Sequence, residues 1–133
     1  MNMKHFKFGK TSCQRLETVE PVLAAVMERA LLYSMYDFGI SCGVRTLEEQ
    51  KELLKRGKTT TLNSRHLPNS AGLSEAVDIM VYDEYGKVTW KEKYLRKVAQ
   101  AVFDAAQELG VHINWGGHWF NFLDMPHFEL KKK

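Results

Sequence analysis

The sequence lacks the features that would mark a membrane span, a disulfide scaffold or a repeat array. No apolar run is long enough to cross a bilayer, which excludes a transmembrane helix. The basic opening, Met1-Asn2-Met3-Lys4-His5-Phe6-Lys7, has neither the apolar stretch nor the cleavage site of a secretory signal. Synthesis in the cytoplasm is therefore expected, with any export needing outside help. The two cysteines, Cys13 and Cys42, lie far apart, and there is no Cys-x-x-Cys pair. A thiolate zinc site is not expected, and both thiols are read as buried and free. Repeats, low-complexity tracts and linkers are missing, so one domain, residues 1–133, with one core is expected. A formal charge of only +3, with no RNA-binding or helix-turn-helix signature, gives no case for nucleic acid. The closing Lys131-Lys132-Lys133 reads as a solvated tail. The hydrophobic fraction of 44% is ordinary for a globular chain and sufficient for a core.

Periodicity supplies the elements. Ser12 is placed to cap a short helix carrying Leu16 and Val19. Pro21 opens a second helix as its first residue, with Leu23, Met27, Ala30 and Leu31 in an apolar stripe. Residues 37–44 read as a strand with Phe38, Ile40 and Cys42 on one face. Thr46 and Glu49 have capping-box spacing, so a helix should run to about Arg56 and stop at Gly57. Residues 58–72 are polar and turn-rich, a loop. Residues 75–82 alternate, with Val77, Ile79 and Val81 on one face and Ala76, Asp78 and Met80 on the other. After a turn at 83–87, Thr89 and Glu92 look like a second capping box, opening a long helix that Gly110 ends. Residues 111–115 and 126–130 read as two more strands. The order predicts an α+β domain, helices packed on one small antiparallel sheet.

The chemistry lies in three separated segments, Ser64-Arg65-His66, Glu75-Ala76-Val77-Asp78 and Asp124-Met125-Pro126-His127. Asp78 falls mid-strand between Val77 and Ile79, where a carboxylate is rarely buried unless paired or bound to metal. His127 opens the final strand, so neighbouring strands can present Asp78 and His127 to one cleft, with His66 on a loop completing three N/O ligands. Three such ligands without a thiolate leave one tetrahedral position on zinc for water, the pattern of a catalytic site. Asp124 could then take a proton from that water. Taken singly, each of these residues also fits a purely structural role. Arg45, at a strand end, could stabilise an oxyanion or bind a substrate carboxylate, or simply pair with Glu48 or Glu49. The stretch Trp115-Gly116-Gly117-His118-Trp119-Phe120 either walls a groove or closes the core. His5, His112 and His118 are read as structural or exposed, His118 being the leading exception.

At these residues the chain resembles peptidase family M15, zinc peptidases of bacterial cell-wall peptides, and most closely the single-domain phage endolysins of the L-alanyl-D-glutamate endopeptidase type. The family pattern of Ser-x-His, Gly-x-Ala-x-Asp and Asp/Glu-x-x-His appears as Ser64-Arg65-His66, Ser74-Glu75-Ala76-Val77-Asp78 and Asp124-Met125-Pro126-His127. Its Gly-x-Arg-[Ser/Thr]…Gln segment appears as Gly43-Val44-Arg45-Thr46 through Gln50. Departures are a His66–Asp78 gap longer than usual, Ser74 in place of glycine, and His118 where an acid is common. The resemblance implies a Hedgehog/DD-peptidase-like fold with a zinc cleft. It implies one Zn2+ held by His66, Asp78 and His127, with Asp124 as general base and Arg45 at the oxyanion or substrate carboxylate. Ser64, Gln50, Trp115 and His118 are further candidates for contact with substrate. The implied partner is the peptidoglycan stem peptide, bound by a monomer with no nucleic acid and no stable membrane insertion. The enzyme would be stored in the host cytoplasm and reach the wall after membrane permeabilisation. Alternatives are a D-Ala-D-Ala carboxypeptidase or dipeptidase, and a zinc-bearing binding module without catalysis.

Overall fold

The computed structural model describes residues 6–59, 61–119 and 123–132. His5, Phe120 and Lys133 lie outside the described residues, so the readings made of them have no structural counterpart here. The elements run α1 (Lys10–Leu16), α2 (Pro21–Tyr33), β1 (Phe38–Cys42), α3 (Leu47–Lys55), β2 (Ala76–Tyr82), β3 (Val88–Thr89), α4 (Glu92–Leu109), β4 (Ile113–Trp115) and β5 (His127–Leu130). The described strands form one antiparallel sheet in the order β1-β2-β5-β4. The short β3 joins the end of β2 through Val81 and Tyr82. This is the expected α+β layout, helices on a small antiparallel sheet.

The sheet divides the molecule because side chains alternate across it. Val77, Ile79 and Val81 of β2, with Phe38, Ile40 and Phe128, are buried together. Helices α2 and α4 pack against each other over this face. They contribute Leu23, Val26, Met27 and Ala30 from one, and Val98, Val102 and Ala105 from the other. The opposite face carries Asp78 and His127, which are direct partners across β2 and β5. The polar positions of the strands thus fall where the helices do not cover them.

Pro21 is the first residue of α2 as expected. Thr46 and Glu49 make both bonds of the capping box at α3. Left-handed Gly110 ends α4.

Two caps differ from expectation. Gly9, not Ser12, precedes α1. Ser12 sits inside the helix, and its hydroxyl accepts from the Ile40 N–H at 2.9 Å. Arg15 donates to the Ile40 carbonyl at 2.8 Å. These side chains occupy backbone groups of an edge strand that would otherwise be open to another chain. Thr89 does not cap α4 either, since Lys91 holds that position and Thr89 is in β3. Its hydroxyl accepts from the Lys91 N–H at 3.2 Å instead. Pairing of Val88 and Thr89 with Tyr82 and Val81 of β2 took the place of a local helix start there.

The cysteines also differ from the sequence reading. Cys13 is exposed, and Cys42 is only partly buried. The β1 register shifts between Ile40 and Cys42, which turns Cys42 away from the core set by Phe38 and Ile40 and places it opposite Asp78. A bulge re-aims a side chain in this way, and sequence alternation does not register it.

Candidate metal centre and active-site cleft

Three chain segments deliver the central groups. Strand pairing fixes Asp78 and His127 side by side. His66 comes from the long loop after α3, and several bonds hold that loop down. The Arg45 N–H donates to the His66 carbonyl at 2.8 Å, and the His66 N–H donates to the Ser64 hydroxyl at 3.1 Å. Arg65 pairs with Glu75, and Asn69 donates to Glu20 and Glu75 at 2.6 and 3.1 Å. The loop is therefore ordered by polar bonds to Arg45, Glu20 and Glu75 as well as within itself.

His66 Nε2 lies 3.1 Å from Asp78 Oδ1 and 3.2 Å from His127 Nδ1. His127 Nδ1 lies 3.0 Å from the same Asp78 oxygen. The outer nitrogens settle the tautomers. His66 Nδ1 is 2.8 Å from the Gly43 carbonyl, and His127 Nε2 is 2.7 Å from Glu129 Oε1. Both partners can only accept, so both outer nitrogens carry protons. The inner nitrogens of the neutral rings then turn lone pairs toward each other and toward a carboxylate. That arrangement is repulsive without a cation or extra protons between them. A tetrahedral zinc with bonds of about 2.0–2.1 Å sets its ligands about 3.3 Å apart. The observed spacings of 3.0 to 3.2 Å fit it.

Electrostatics points the same way. Burial alone would lower the His66 imidazole, but the Asp78 carboxylate and the Cys42 sulfur outweigh it and raise it to about 10. Burial would lower His127 too, yet Asp78 and Glu129 hold it above its ordinary value. Burial would raise Asp78, but hydrogen bonds from His127 and His66 hold it far below the usual carboxylate range. The cluster attracts positive charge, which a divalent cation supplies by displacing protons. Two overlapping donor sets lie within reach of a single ion: Cys42, His66 and Asp78, and Asp78, Asp124 and His127. The residues can hold a metal ion, and Cys42 is a donor that the sequence reading set aside.

Asp124 is held by backbone bonds, its N–H to Gly116 O and its carbonyl from His127 N, both at 3.0 Å. A Cβ at Gly116 would collide with the Asp124 carbonyl, so this close approach requires glycine. Burial, followed by the Asp78 charge, raises the Asp124 carboxyl. Arg45 does not pair with Glu48 or Glu49 among the described contacts. Its Nη1 donates to Gln50 Oε1 at 2.8 Å, and its Nη2 lies 3.6 Å from Asp78 Oδ2. Gln50 is fully buried, and its amide donates to the Thr61 carbonyl at 2.8 Å. The guanidinium is thus aimed at the cluster by the first turn of α3.

These groups open into a cleft of about 580 Å³ lined by Arg45, Ser64, His66, Asp78, Asp124 and His127, among others. Of the two residues expected in an aromatic wall, neither lines it. Trp115 is buried, donates to the Met125 carbonyl at 2.6 Å and stacks on Phe128. His118 stacks on Phe103 on the far side of Trp115. The strand β4 directs Trp115 to the core, and the following 3-10 turn (Gly116–His118) carries His118 with it. Trp119 lines the cleft instead, its ring 4.9 Å from that of His127. The aromatic stretch was legible, but which of its rings faced the cleft depended on that turn.

A family profile described as phage L-alanyl-D-glutamate peptidase matches residues 3–131. The chain belongs to this family. It is 34% identical over 128 residues to the L-alanyl-D-glutamate peptidase of Escherichia phage T5, covering 96% of this chain and 90% of the relative. It is 30% identical over 103 residues to the peptidoglycan L-alanyl-D-glutamate endopeptidase CwlK of Bacillus subtilis, covering 71% of this chain and 60% of that protein. Among solved structures it resembles the Serratia marcescens L-Ala D-Glu endopeptidase ChiX, with a TM-score of 0.85 and 36% identity. That match covers 98% of this chain and 93% of the other. Membership of this peptidase family makes the chain a peptidoglycan peptidase of the phage endolysin type. No helix of the described residues is long and apolar enough to cross a membrane.

Proposed function

We propose that this protein is a zinc-dependent peptidoglycan endopeptidase that cuts the stem peptide between L-alanine and D-glutamate. The carrying observation is the meeting of His66 Nε2, His127 Nδ1 and Asp78 Oδ1 within 3.2 Å, each ring anchored by its other nitrogen. His66, Asp78 and His127 hold one zinc in this reading. Bound zinc supplies Lewis-acid activation of water and of the scissile carbonyl near neutral pH.

The protein's own groups do the rest. Asp124, half-buried at the cleft floor beside His127, accepts the proton of the attacking water and returns it to the leaving amine. Its raised affinity for protons suits a group that must hold one between the two steps. Arg45 places a fixed positive charge where the carbonyl oxygen becomes negative, and Gln50 keeps the guanidinium in that pose. Ser64 lines the cleft, and its hydroxyl also fixes the His66 backbone, so it steadies that residue while lying within reach of substrate. Trp119 takes the part of the aromatic wall in contact with substrate. The protein works as a monomer on the cell wall, reaching it from the host cytoplasm once the membrane is breached.

The test is mass spectrometry of purified Gram-negative peptidoglycan digested with and without a zinc chelator. Chelator-sensitive release of stem peptides beginning at D-Glu is expected. Loss of terminal D-Ala alone would reassign the bond to a carboxypeptidase. No release from protein shown to carry zinc would overturn the enzymatic reading.

A further inference from the structure

We propose that Glu129 is a positioning residue for the metal centre, acting through His127. The inference rests on the reading of His127 as a zinc ligand. Glu129 follows His127 by two residues on β5, so strand alternation puts both side chains on the cleft face while Phe128 enters the core. Its Oε1 accepts from His127 Nε2 at 2.7 Å, the sole side-chain bond of Glu129 among the described residues. The backbone that carries it is held on both sides, with Ala76 of β2 and Asn114 of β4 as its register partners. The carboxylate therefore starts from a rigid place.

This bond does two things for the ring. It fixes the tautomer, leaving the Nδ1 lone pair pointing at His66 and Asp78. It also places a full negative charge on the outer N–H, which makes the inner nitrogen a stronger donor to a metal. The two imidazoles are not equivalent in this respect. His66 is anchored by the neutral Gly43 carbonyl and faces the centre with Nε2, whereas His127 is anchored by a carboxylate and faces it with Nδ1.

The experiment measures zinc affinity by competition with a chromophoric chelator for the wild type, Glu129→Ala and Glu129→Gln, alongside the Tm of each metal-free protein. Glu129→Ala should bind zinc about 10- to 100-fold more weakly. Glu129→Gln, which keeps an acceptor but not the charge, should fall between it and the wild type. The metal-free Tm should fall only slightly in the two variants, since the bond to His127 also exists without metal. Wild-type affinity in Glu129→Ala would overturn the proposal, as would a loss of affinity matched by a large fall in the metal-free Tm and not relieved by Gln. A wild-type protein that binds no zinc would instead overturn the ligand assignment itself, and this proposal with it.

Discussion

At the scale of single residues, zinc content and turnover measured on the same variant distinguish a group that would hold the metal from one that would act on substrate. Asp124 shares a donor set with Asp78 and His127, but its backbone is tied to Gly116 and it belongs to no ring-anchoring pair. Asp124→Asn should therefore keep its zinc while stem-peptide release falls by about 10²- to 10⁴-fold, the usual contribution of a general base. Loss of zinc together with activity, read by elemental analysis, would make Asp124 a ligand instead. Arg45→Ala should lower hydrolysis by about 10²- to 10³-fold with zinc content intact. Unchanged turnover would show that the guanidinium only braces Asp78. Asp78 was legible as a candidate because a carboxylate is costly to place mid-strand without a partner, and Asp124 and Arg45, candidates by spacing and by position after a strand, both line the cleft. Cys42, Trp119 and Glu129 were not. Cys42 depended on a bulge and Trp119 on a 3-10 turn, while alternation put Glu129 on the face of His127 but did not show its bond to the ring.

At the scale of elements, the sequence marked helices and long strands well, because a 3.6-residue stripe or a seven-residue alternation leaves little choice. It marked β3 poorly, since two residues carry no period. The loop bearing His66 read as polar and turn-rich, and its internal order was hidden. Part of that order comes from Glu75, which Asn69 and then Arg65 hold below its ordinary value of 4.5 despite partial burial. A carboxyl with a lowered folded-state value stabilises the fold above its unfolded value, and the contribution disappears as pH falls through the folded one. Glu75→Gln should thus lower the Tm near pH 7, and the gap from wild type should close in acid. A constant gap from pH 7 to pH 3 would mean that the charge of Glu75 contributes nothing and only its shape matters. The same substitution should loosen zinc binding, because the loop places one ligand.

For the whole molecule, the sheet separates stability from chemistry: the helices bury one face, and the other face gathers donors from distant parts of the chain. Position 66 on a loop, position 78 on β2 and position 127 on β5 meet in one cluster that no single element could form. A metal there joins three segments that separate on unfolding, so its binding energy is added to folding. At free zinc about a hundredfold above its dissociation constant, mass action gives about 2.7 kcal/mol. For a chain of this length that corresponds to a Tm rise of roughly 8–14 °C. Calorimetry with and without chelator should show the shift in the wild type. Asp78→Ala, which removes the oxygen shared by both rings, should show almost none. Asp124→Asn should keep the whole of it. An equal zinc-dependent rise in Asp78→Ala would place the metal elsewhere and leave the three-segment cluster as a network of protonated imidazoles around a carboxylate.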